Sequence, residues 1–124
     1  MLDREIAEFG RRMGIPTLAF GQNSLLALDV QRMGRLHLEK QEKHGETELL
    51  IYLMRPCPAY DSEAPARVLA LCHYRHRHPL SLSGGVHKDQ IVLLTRLAEK
   101  EVTAAAMENA VKFLATVMDR ASAS

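Results

Sequence analysis

The chain has 124 residues, 47% of them apolar, and 16 basic side chains against 15 acidic ones give it a formal charge of +1. Such a length and apolar content suit one folded domain and exclude a disordered chain or a second sizeable core, while the near-neutral balance excludes a polybasic nucleic-acid coat. No apolar run is long enough to cross a bilayer, and "MLDREIAEFG" lacks the order of a signal peptide, so a cytoplasmic chain with Cys57 and Cys72 as reduced thiols is expected.

Residues 2 to 13 place Leu2, Ile6, Phe9 and Met13 at helical spacing, with Asp3 as a candidate cap and Gly14 and Pro16 as stops. After the loop "PTLAFGQN" come three runs of strand formers, "SLLALDV" (24–30), "RLHLEK" (35–40) and "ELLIYLM" (48–54). Gly34 falls in the first gap and the polar "QEKHGE" in the second, which predicts an antiparallel meander. Pro56 and Pro58 close the third strand. A second helix then begins near Asp61 or Ser62, with Pro65 in its first turn, and runs to about Tyr74. "PLSLS" (79–83) reads as a short strand, "GGVHKD" as a turn and "QIVLLTRL" (90–97) as a long strand. The last helix, from Thr103 to about Arg120, carries one apolar stripe of Met107, Ala110, Val111, Leu114, Val117 and Met118, and residues 120–124 are expected to fray. The prediction is a single α+β domain over residues 1–124, in the order α-β-β-β-α-β-β-α, with a twisted, mainly antiparallel sheet and three helices.

The stretch "LCHYRHRHPLSLSGG" holds the densest set of titratable groups. A metal or ligand site there would use Cys72, His73, His76 and His78, but Arg75 and Arg77 put fixed positive charge between those ligands, and no second cluster completes a tetrahedral set. A basic end to a helix, stopped by Pro79, accounts for the same residues without a ligand. Ser81 and Ser83 before Gly84 do not form a nucleophile elbow, and the Gly84–Gly85 pair lacks the lysine and spacing of a phosphate loop. No catalytic constellation is visible.

Surplus apolar strand surface is visible instead. A sheet with one wet face alternates apolar and polar residues. In "ELLIYLM", Leu49, Ile51 and Leu53 point one way and Leu50, Tyr52 and Met54 the other, and "SLLALDV" and "QIVLL" repeat the pattern. Three helices blanket only one face of five strands, so either the loop "PTLAFGQN" seals the second face or another protein does.

The helix "IAEFGRRMGIPTL", the strands "LLALDV" and "GRLHLEK", a short helix, "HPLSLSGG", "DQIVLLTRL" and a long terminal helix resemble, over nearly the whole chain, the class I chaperones of bacterial type III secretion systems. The likeness is greatest to the SycN-type chaperones of YopN-like gatekeepers. It implies a dimeric chaperone without cofactor, metal or ATP hydrolysis. Such a protein binds the N-terminal chaperone-binding segment of a secreted effector or gatekeeper and keeps it secretion-competent, without nucleic acid or membrane insertion. The dimer partner is a second copy or a YscB-like chaperone. Candidate cargo-binding residues are Leu2, Ile6 and Phe9 on the first helix and Leu26, Leu28, Leu50, Tyr52 and Met54 on the strands. Family likeness suggests Leu69, Cys72 and Leu82 for the dimer contact. The alternatives are the metal- or ligand-binding domain above and a structural subunit of a heterodimer with no cargo of its own.

Overall fold

The computed structural model describes residues 2–14, 25–30, 33–57, 61–73 and 80–122, and for residues 2 and 3 the backbone alone. Its elements are α1 (Leu2–Arg12), β1 (Leu25–Val30), β2 (Gly34–Lys43), β3 (Glu46–Pro56), α2 (Ala64–Cys72), β4 (Ser83–His87), β5 (Gln90–Ala98), a 3-10 turn (Glu99–Glu101) and α3 (Ala104–Ala121). The expected α+β order holds. All strand pairings are antiparallel, in the order β1-β2-β3-β5-β4, so β1 and β4 are the sheet's edges.

Two tight turns set the register. His44 and Gly45 both have positive φ (54° and 79°), as a two-residue hairpin turn demands, and β2 and β3 run right up to them. Lys88 and Asp89 (47° and 64°) do the same between β4 and β5. This corrects the expected strand "PLSLS" and turn "GGVHKD": the strand is Ser83–His87 and the turn is Lys88–Asp89. The glycines misled because Gly84 serves close packing. A Cβ there would lie 2.8 Å from Leu93 Cδ2, 2.8 Å from the Val92 carbonyl oxygen and 3.2 Å from Cys72 Sγ. Gly34 is likewise the first residue of β2 and not a gap residue; its φ is 126°, and a Cβ would collide with the Met54 carbonyl oxygen.

One face of the sheet carries the core. Leu36 and Leu38 on β2, Leu49, Ile51 and Leu53 on β3, and Ile91, Leu93, Thr95 and Leu97 on β5 stand on that face in cross-strand register and are buried. The apolar ones form one cluster with Ile6 and Phe9 of α1, Val68 and Leu71 of α2, and the whole predicted stripe of α3.

The helices are fixed at their ends. The Thr103 hydroxyl accepts the Ala106 N–H at 3.0 Å and the Glu5 carboxylate of α1 accepts the Ala104 N–H at 2.8 Å, so two of the orphan donors of α3 are satisfied. Arg67 on α2 donates through Nη1 to Asp61 (3.1 Å) and through Nη2 to the same carboxylate, while its Nε donates to the Ala121 carbonyl oxygen (2.9 Å). Arg55 donates to Asp119 Oδ1 (2.9 Å) and to Ser122 Oγ (3.2 Å).

These ties correct three boundary expectations. Ala121 is fully buried and helical, so order continues past Arg120 into the stretch expected to fray. The Asp3 backbone lies inside the first turn of α1 and not at the N-cap position before it. The N-cap of α2 is Glu63, and the Ala64 N–H donates to the Asp61 carbonyl oxygen at 3.4 Å. No described helix is long and apolar enough to cross a membrane.

Candidate functional site

The three helices share the core of one sheet face, and the other face keeps its own apolar residues. Cross-strand register places Leu50, Tyr52 and Met54 of β3 beside Arg96, Leu94 and Val92 of β5 and opposite Glu39, His37 and Arg35 of β2. None of Tyr52, Met54, Val92 and Leu94 belongs to the core cluster or packs against it. All four are half-buried. Leu50 is 7% exposed, flanked by the long stems of Glu39 and Arg96, and Arg96 pairs with Glu48 at 3.1 Å. Leu25 extends the same row onto β1 and is 39% exposed. The result is an apolar stripe along the two central strands, bordered by charged side chains.

At its centre the His37 and Tyr52 rings stack, with centroids 4.8 Å apart and planes 5° from parallel. Burial, and then the Arg35 guanidinium, hold the His37 imidazole below its ordinary pKa against the opposing pull of Asp29; burial and then Glu39 raise the Tyr52 phenol. His37 Nδ1 is buried without a hydrogen-bond partner, alone in that among the described side chains. Beyond Met54 the stripe runs into a hollow of about 550 Å³ where Asp29, Arg35 and Gln90 meet.

The sequence-derived candidates divide over both faces. Leu50, Tyr52 and Met54 lie together on the face that the described helices leave open. Leu26 and Leu28 are in register with Leu38 and Leu36, on the helix-covered face, where they are half-buried at the edge of the core. Ile6 and Phe9 are fully buried in that core and present no surface. The Leu2 side chain lies outside the described atoms, as does the loop "PTLAFGQN" expected as a second-face cover. Val92, Leu94 and His37 were not among the candidates. Their signal lies in the turns: once His44–Gly45 is recognised as a two-residue turn, counting outward sets His37 against Tyr52, and the β5 alternation then adds Leu94.

On the dimer side, Leu69 on α2 is the most exposed large apolar residue described, at 66%. Cys72 points into the seam with β4, with its Sγ close to where a Gly84 side chain would stand, and burial raises its thiol pKa. Leu82 is half-buried just before the edge strand β4 and packs against the core. The two cysteines are not joined to each other. His73 caps the C-terminus of α2, so the helix stops two residues short of the expected Tyr74. His76 and His78 lie outside the described residues. Among the described residues no three His, Cys, Asp or Glu side chains converge as a metal site would require.

Comparison with known proteins adds family and fold. A family model described as type III secretory system chaperone SycN matches residues 1–121. No curated protein matches the chain in sequence. Among solved structures, the ExsC–ExsE complex aligns with a TM-score of 0.73 and 22% identity over 96% of this chain and 86% of that one. The Yersinia pestis type III secretion chaperone SycH, solved with a fragment of YscM2, gives a TM-score of 0.69 and 16% identity over 98% and 97% of the two chains. The ExoU–SpcU heterodimer of the Pseudomonas aeruginosa type III secretion system gives 0.63 and 16% over 98% and 94%. At these identities the structures establish the shared fold.

Proposed function

This chain belongs to the type III secretory system chaperone SycN family, and from that premise we propose that its open sheet face binds the N-terminal segment of a secreted effector or YopN-like gatekeeper and holds it unfolded for export. The observation that carries this reading is the apolar stripe of Tyr52, Met54, Val92 and Leu94 beside Leu50, which the helices leave uncovered. Side chains on one face of a strand recur every second residue, about 6.6 Å apart, so an extended segment laid along the stripe can match Leu50, Tyr52 and Met54 in step. Fully burying such a side chain is worth roughly 1.5–3 kcal/mol. Tyr52 and Met54 are already half-buried and Leu50 is buried, so each offers only part of that, and useful affinity requires one segment to cover several at once.

Binding is the whole mechanism: the protein acts in the cytoplasm, without ATP hydrolysis, metal or other cofactor. The secretion chaperone SycH, solved with a fragment of another protein, YscM2, supports this reading by analogy. We also assign the exposed Leu69 face of α2, beside the edge strand β4, to pairing with a second copy or a YscB-like chaperone.

Both assignments are tested by co-expression with a gatekeeper's N-terminal segment and co-purification. Tyr52→Asp and Leu94→Asp are expected to lose the segment while keeping the dimer, and Leu69→Asp to give a folded monomer. Retention of the segment by both open-face variants would reject the sheet as its seat.

A further inference from the structure

Stacked flat on Tyr52 in the middle of the open face, His37 has one ring nitrogen, Nδ1, buried without a partner. Leaving a lone pair unpaired is cheaper than burying an N–H with no acceptor, so the neutral ring carries its proton on Nε2. Among the described residues no hydrogen bond occupies Nε2, and it is not among the buried unpartnered atoms, so it is not wholly closed off from solvent. A second proton would go to Nδ1, where nothing receives it. The charged groups around the ring give no compensating acceptor: Arg35 and Glu39 share its strand, Asp29 stands on β1 across from Arg35, Arg96 lies one row away on β5, and Tyr52 meets it face to face. The ring's depressed pKa agrees with this geometry.

We propose that His37 is a cargo-binding residue of that face: its Nε2–H donates to a main-chain carbonyl of the docked extended segment, and its protonation opposes docking. This rests on the open face being the cargo seat. A segment covering the stripe removes water from the ring and disfavours the imidazolium further, so protons and cargo compete. Affinity is therefore constant above the ordinary imidazole value of about 6.5. Below the lowered value of His37 it falls, by up to about tenfold per pH unit.

The test titrates the dimeric protein with the N-terminal segment of a YopN-type gatekeeper from pH 8 to pH 5, comparing wild type with His37→Phe, which keeps a ring on Tyr52 but neither donates nor titrates. His37→Phe is expected to bind about three- to tenfold more weakly at pH 7.5, the loss of one hydrogen bond, and to lack the component of acid weakening that His37 supplies. A wild-type pH slope retained in His37→Phe overturns the proposal while leaving the cargo reading intact. Absence of binding at every pH by folded wild type overturns both. NMR titration of the wild-type His37 ring gives a check that needs no variant: its pKa is expected to drop further when the segment is bound, and an unchanged value contradicts the proposal.

Discussion

Gly84→Ala and Gly85→Ala differ by one position on the edge strand and should differ in sign. An alanine Cβ at 84 would meet Leu93 Cδ2 and the Val92 carbonyl oxygen at 2.8 Å each, and Cys72 Sγ at 3.2 Å. The carbonyl belongs to a paired strand and the sulfur to α2, so relief requires β4 or α2 to shift. Overpacking of this kind costs about 1–3 kcal/mol. At position 85 nothing lies within 4 Å, so alanine there only removes unfolded-state freedom and stabilises by about 0.4–1 kcal/mol. The entropic gain is common to both variants. Their difference in urea unfolding free energy therefore reads the steric effect alone, about 1–3 kcal/mol, with Gly84→Ala the less stable. Equal stability would refute the close helix–strand approach, and with it the reason that these glycines lie in a strand. Because α2 carries Leu69, Gly84→Ala should also weaken dimerisation in sedimentation experiments, whereas Gly85→Ala should not.

Thr103→Ala should cost about 1 kcal/mol through loss of its bond to the Ala106 N–H, measured by thermal unfolding, and Glu5→Gln should lose less because its amide oxygen still accepts from Ala104. The hydrogen bond from Arg67 lowers the Asp61 pKa, so that pair stabilises fully above the unfolded carboxylate value of about 3.9 and is lost as pH falls through the lower folded value. Arg67→Ala should therefore be less stable than wild type at neutral pH, with a gap in melting temperature that narrows in acid. Part of the gap should persist, because the Arg67 bond to the Ala121 carbonyl does not titrate with Asp61.

Element order and the core stripe of α3 were legible because periodicity reports burial directly, and every predicted residue of that stripe is buried. The surplus of apolar strand surface was legible for the same reason: Leu49, Ile51 and Leu53 fill the core while Leu50, Tyr52 and Met54 line the opposite face. Which strand residues share a face across the sheet was not legible without the register. Leu26 and Leu28 were grouped with Leu50, yet their partners Leu38 and Leu36 place them on the helix side. Ile6 and Phe9 show the limit of an amphipathic pattern, which marks a face that must be covered but not whether α3 or a partner covers it. The β4 error arose because glycine serves both turns and close packing, and only the positive φ of Lys88 and Asp89 separates the two uses.

The central claim, that another chain covers the sheet face opposite the helices, is met most directly by methyl NMR of the protein with and without a gatekeeper's N-terminal segment. The Leu50, Met54, Val92 and Leu94 methyls should shift strongly on binding, while those of Met107 and Leu114, fully buried on the core side of α3, stay in place. Tight binding that left all four open-face residues unmoved would contradict it.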